Sequence, residues 1–211
     1  MDRVVTIAAM RTAGALGLLL IATAAHGATV SATVATPSGE AVTQAVVYAL
    51  PATGKAPSAP RPSVIDQIDR EFVPLVVPVQ AGAPVTFPNR DNIRHHVYSF
   101  SPAKVFELKL YSGVPAKPVV FDKAGAVTLG CNIHDWMVGY IYVVDSPWFA
   151  KTGKDGRATI DLPPGDYLIR VWHPWMKAEP APARLEVKGP ADQPLAFRVD
   201  VVPPPARTDR R

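Results

Sequence analysis

GCNIHDWMVGYIYVV, residues 130–144, is the stretch whose reading decides the fold. Its second half, VGYIYVV, is a run of β-branched and aromatic residues, the composition of a strand. The residues before it, AVTLGC (126–131), read as another strand that ends on the chain's only cysteine. A short loop joins the two and carries Cys131, His134 and Met137. Outward from this hairpin the same kind of run recurs: TVSATVAT, AVVYAL, FVPLVVPV, PVTFPN, HHVYSF, VFELKLY, PVVF, ATIDL, DYLIRVW, ARLEVK and LAFRVDV. Pro and Gly signals separate them. Proline, 23 of 211 residues, stands at about twice the usual ~5%, which suits turns and edge strands and not helices. Many short strands with such punctuation predict an all-β protein built of β-sandwiches. Only VIDQIDR (64–70) reads as a single helical turn.

The start of the chain predicts export. Arg3 and Arg11 precede the apolar run AGALGLLLIATAA (13–25), about 13 residues against the roughly 20 a spanning helix needs. Ala25-His26-Gly27 then sets small residues at the two positions a signal peptidase reads. Residues 1–27 are thus expected to be a cleaved signal peptide, delivering the protein to a bacterial periplasm with no membrane span left after cleavage. The formal charge of +4 sits mostly at the ends, on Arg3 and Arg11 and on Arg207, Arg210 and Arg211. The body between is nearly neutral, so a nucleic-acid footprint is not supported.

Two boundaries divide the rest. PATGKAPSAPRP (51–62) reads as a linker, and DSPWFAKTGKDG (145–156) is a turn-rich break. ATVSATVATPSGEAVTQAVVYAL (28–50) looks like the first half of a carboxypeptidase-regulatory or transthyretin-like sandwich, and TGKDG followed by ATIDLPPGDYLIRVW like its second half. The expected organisation is 28–58 and 148–202 as two halves of one small sandwich, with a second sandwich, 64–147, inserted between them; this is preferred to a reading in which 28–50 supply the first strands of the central domain. The tail 203–211 is expected to be disordered.

An exported protein with one cysteine cannot form an internal disulfide, so Cys131 is a free thiol, an intermolecular link or a ligand. A thiolate, an imidazole and a thioether on one loop are donors that suit copper. Upstream, PVTFPNRDNIRHHVYSF supplies further donors, His95 and His96, at the start of another strand. A methionine beside Val138 is by itself ordinary core filling; with Cys131 and His134 on the same loop the donor reading takes precedence.

FPNRDNIRHHV and GCNIHDWM resemble the cupredoxins, most closely those with the short ligand loop C-x2-H-x2-M such as amicyanin, and the arrangement is similar to periplasmic methylamine-utilisation proteins of that type. The resemblance covers residues 64–147 and implies a Greek-key β-sandwich holding one copper. Residue by residue it places His95 and His134 as the histidine ligands, Cys131 as the thiolate and Met137 as the axial donor. His96 stands where the family carries an asparagine, and Ile133 where it often carries a proline. Neighbouring side chains on a strand face opposite ways, so one of the two adjacent histidines is expected at the metal, His95, with His96 and Asn89 in outer or alternative roles. Ile133 and Trp136 are expected to rim the site for partner docking.

The function expected is one-electron transfer between periplasmic redox proteins of cytochrome c or dehydrogenase type. Copper handling without electron transfer is less favoured, because no Met- or His-rich tract is present. A purely structural sandwich binding a glycan or a partner leaves Cys131 unexplained. Enzymatic readings fail on composition: five histidines are too few for a trinuclear copper cluster, and one cysteine is too few for a binuclear centre. The spacing from Cys131 to His134 does not suggest a cysteine hydrolase. His173, in VWHPW, is read as structural, and Tyr98, Tyr140, Tyr142, Trp148 and Trp172 as packing residues.

Overall fold

The computed structural model describes residues 27–204. The expected signal peptide and tail thus lie outside the described residues, apart from Gly27, Pro203 and Pro204. The protein is all-β; among the described residues there is no helix, and none therefore long and apolar enough to cross a membrane. In chain order the strands are β1 (Ala28–Ala35), β2 (Val46–Pro51), β3 (Ser63–Val64), β4 (Asp66–Ile68), β5 (Glu71–Val73) and β6 (Val76–Gln80). They continue as β7 (Ala83–Thr86), β8 (His95–Ser101), β9 (Lys104–Tyr111), β10 (Val119–Phe121), β11 (Gly125–Gly130) and β12 (Val138–Val144). After these come β13 (Phe149–Lys151), β14 (Arg157–Leu162), β15 (Gly165–Trp172), β16 (Ala183–Val187) and β17 (Gln193–Arg198).

Pairing sorts them into two bodies. β1 lies between β14 and β17, and β2 runs in the order β13-β2-β15-β16, so residues near the start pair with residues near the end. Between them β6-β12-β11-β8-β9 form the largest sheet, faced by β10-β7-β3 and the small β4-β5 hairpin. Alternation explains each choice of face. In β14, RATIDL buries every second residue, the period a strand covered on one side requires. In β12, Ile141 and Val143 enter one core with Phe87, Phe121, Val127 and Leu129. Tyr142 and Val144 point the other way, into a separate cluster with Val46, Tyr48, Val76 and Trp172. One strand therefore lines the core of the central sandwich and, on its back, the seam to the other sandwich.

Two local expectations change. Residues 64–70 form no helical turn: Ile65, Gln67 and Phe72 are buried at strand spacing, and Asp69-Arg70 turn the chain between β4 and β5. The alternation of buried and exposed residues in this segment has period two, which no helix can satisfy. The break at 145–156 contains a strand, β13, paired with β2.

Candidate metal centre

β11 ends at Gly130, opposite Tyr98 of β8. A Cβ there would lie 2.7 Å from the Tyr98 ring, so the position before the cysteine has to be bare. Cys131 follows, buried at 3% exposure. The loop then closes with the Met137 N–H donating to the His134 carbonyl at 3.0 Å, and β12 starts at the next residue. Because β8 is the neighbour of β11 in the sheet, its first residue, His95, comes alongside the cysteine. His95 is fully buried.

Three of the predicted donors converge. Nδ1 of His95 and Nδ1 of His134 each lie 3.9 Å from Cys131 Sγ, and the three ligand atoms all fall within 4.8 Å of one another. Metal–nitrogen and metal–sulfur bonds of about 2.0–2.3 Å, opened to an angle near 120°, put their ends roughly 3.7 Å apart. The triangle is thus the size a single ion needs. Met137 is buried in the same apolar cluster as Cys131. Two imidazoles and a cysteine sulfur at this spacing, with a buried methionine in the adjoining core, fit copper. The burial of Cys131 also removes the intermolecular disulfide, since the thiol cannot reach another chain.

Around the donors lies a polar shell. His95 Nε2 is 2.6 Å from Asp91 Oδ2. Burial opposes the charge on Asp91, but the N–H groups of Arg70 and Asp69 and the His95 ring outweigh it and hold its carboxyl below the usual range. Burial also lowers the pKa of His134, helped by His95 and the Arg70 guanidinium and opposed by Asp91. Tyr111, next to the site, is pushed up to about 12, chiefly by burial, with a further contribution from Cys131 and against its hydrogen bond from Gln67. Asp91 and Tyr111 do not emerge as site residues from the sequence, where Asp91 is one member of the stretch FPNRDNIRHHV. The signal that finds it is its place four residues before His95, within reach of the ring once residues 89–93 fold back.

Asn89 causes that fold-back. Its Oδ1 accepts the Asp91 N–H at 3.0 Å, while its Nδ2 donates to the carbonyls of Ile93 and Tyr111 at 2.8 and 2.9 Å. Ile133 is half exposed, and the Trp136 ring stands 5.1 Å from that of His134, both at the open side of the loop. His96 is not brought to the cluster. It points to the other face of the sheet, where Nε2 is 2.9 Å from Glu107 Oε1 and the ring lies 5.5 Å from that of Tyr98. Replacing His96 with Asn is accordingly expected to leave copper stoichiometry and the absorption spectrum unchanged; loss of copper would move the ligand assignment from His95 to His96.

His173 belongs to the other sandwich, where it is buried and its Nδ1 accepts the Trp175 N–H at 3.2 Å. Burial lowers its pKa, against a hydrogen bond with the Thr43 backbone. Its unfolded ring takes up a proton near pH 6.5 and its folded ring only below that. The contribution to stability is therefore full above about pH 6.5 and lost as the pH falls through the folded value. His173→Gln should flatten the fall in melting temperature between about pH 7.5 and 5 without changing metal content. A slope equal to that of the wild type would mean that other groups set the acid limb.

The sequence matches no protein-family model and no curated protein. Among solved structures, part of the chain is similar to a copper-containing nitrite reductase from Thermus scotoductus, at 24% identity and a TM-score of 0.38, covering 44% of this chain and 25% of that one. It is similar to a purple cupredoxin from Nitrosopumilus maritimus at 24% identity and a TM-score of 0.34, over 38% of this chain and 96% of that one. Against the reduced Cu(I) form of an amicyanin point mutant the values are 22% and 0.36, over 44% and 85%. The chain thus spans a quarter of the nitrite reductase, and each likeness covers less than half of this chain, at scores too low to carry a function across.

Proposed function

We propose that the protein is an exported, periplasmic single-copper electron carrier and not an enzyme. The observation that carries this reading is the triangle of His95 Nδ1, Cys131 Sγ and His134 Nδ1, with both nitrogens 3.9 Å from the sulfur. His95, Cys131 and His134 would hold the ion, with Met137 as the fourth donor. Copper bound there supplies a one-electron couple between Cu(I) and Cu(II). The chain's own residues supply rigidity and dryness. His95 is the first residue of β8, Cys131 follows β11 and Met137 precedes β12, so three neighbouring strands of one sheet fix the donors. Donors that do not move between oxidation states keep the reorganisation energy of electron transfer low.

His134 is the donor nearest solvent, and Ile133 and Trp136 beside it give an apolar rim suited to brief docking of a redox protein of cytochrome c or dehydrogenase type. The pairing of residues 28–51 with 149–198 supports reading those segments as one transthyretin-like sandwich, into which the copper-binding sandwich is inserted. Titration of the purified protein with Cu(II), followed by visible absorption and electron paramagnetic resonance, tests the reading. One copper per chain with an intense thiolate-to-copper band, bleached by reductant and restored by oxidant, is the expected result. A colourless protein without tight copper would overturn it.

A further inference from the structure

We infer that Asp91 is the positioning residue of this centre: its carboxylate holds His95 as the Nε2–H tautomer with Nδ1 turned toward Cys131, and ties that ring to the hairpin turn at Asp69-Arg70. The consequence for metal binding rests on the copper reading above; the consequence for the tautomer does not. Asp91 Oδ2 lies 2.6 Å from His95 Nε2. The same carboxylate accepts the Asp69 N–H at 2.8 Å through Oδ1 and the Arg70 N–H at 2.9 Å through Oδ2. A carboxylate only accepts hydrogen bonds, so an Nε2–H of His95 is the donor in this contact, which leaves Nδ1 facing the cysteine sulfur 3.9 Å away. His95 is fully buried, so water does not compete for either nitrogen.

The turn shows that this arrangement is built. Asp69 and Arg70 lie consecutively at φ of 53° and 61°, a left-handed conformation that non-glycine residues adopt at a cost. What offsets the cost here is the pair of bonds from their N–H groups to Asp91. One side chain thus fixes a strained hairpin and a candidate ligand together, and Asn89 fixes that side chain from behind through the Asp91 N–H. The negative charge placed one ring away from the metal position also favours the more positive oxidation state, by Coulomb's law.

The test uses the full protein. In the metal-free wild type, nitrogen NMR of the imidazoles at neutral pH should show His95 as a single Nε2–H tautomer with a slowly exchanging proton. Asp91→Ala should mix the tautomers and weaken Cu(II) binding about 10- to 100-fold, the range for carboxylates behind ligand histidines. Asp91→Asn, which keeps an acceptor but loses the charge, should raise the reduction potential. If Asp91→Ala does not fold, Asp91→Ala/Arg70→Gly carries the same test, because glycine takes up the left-handed turn without the carboxylate. A single Nε2–H tautomer and full Cu(II) affinity in the alanine variant would overturn the inference. A wild-type protein that binds no copper tightly, yet whose tautomer is locked and then released by Asp91→Ala, upholds the positioning role while the copper reading fails.

Discussion

Cys131→Ala is expected to abolish tight Cu(II) binding and to remove every trace of thiolate-to-copper absorption. The loss should exceed the about 10- to 100-fold that changes behind the ligands produce, because the sulfur is the corner of the triangle that both imidazole nitrogens face at 3.9 Å. Without it, two neutral nitrogens and a thioether remain, a set with no anionic donor to offset the charge of Cu(II) in a dry site. The metal-free variant should fold, since alanine removes one buried sulfur from the cluster around Phe87 and Leu129, and the cost should be about 1 kcal/mol. Competition against a chelator of known affinity measures the binding, and circular dichroism checks the fold. Wild-type affinity in the variant would remove Cys131 as a donor and with it the copper site.

The strands were legible in the sequence because period-two burial writes itself into composition: VGYIYVV, ATIDL and DYLIRVW all became strands. What failed were places where the local pattern is too short to show a period. β13 is three residues long, and its pairing with β2 depends on a partner far away in the chain. VIDQIDR contains two strand fragments and part of a turn, and its polar residues mask the period-two burial of Ile65 and Gln67 until the hairpin pairing is formed. The candidate donors were legible by chemistry, as Cys131, His134 and Met137 share one loop. That His95 and not His96 lies beside Cys131 follows from the alternation of a strand. Asp91 was hidden because its place four residues before His95 is only half of its role, and its other partners, Asp69 and Arg70, are brought to it by the β4-β5 hairpin. Tyr111 was hidden for the same reason: it is brought beside Gln67 and Cys131 by the sheet and not by the sequence.

Trp172→Ala is the substitution expected to cost most in stability, about 3–5 kcal/mol, with the copper spectrum unchanged. Trp172 closes β15 and is 8% exposed. Its ring stacks on that of Tyr142 with centroids 4.5 Å apart and planes 17° from parallel, and Tyr142 in turn shares a 2.9 Å hydroxyl contact with Tyr48. Val46, Tyr48 and Trp172 come from one sandwich, and Val76, Tyr142 and Val144 from the sheet that carries the donors. Deleting the indole leaves a cavity at this seam, which rigid strands on both sides cannot close, so the penalty should approach that of a core deletion. The donors should not respond. On β12 the neighbours of Tyr142, Ile141 and Val143, face the opposite core, so the loss falls on the back of the sheet and not on its metal end. Tyr142→Phe is the matched control: it keeps the stack, removes one hydroxyl contact and should cost about 1 kcal/mol. Denaturant unfolding of the two variants separates packing from hydrogen bonding at the seam. A Trp172→Ala protein as stable as the wild type would mean that the Tyr142–Trp172 stack does not hold the seam and that its other contacts, such as Tyr48–Tyr142, do. A shift in the copper band would mean that the seam transmits strain through β12 to Met137.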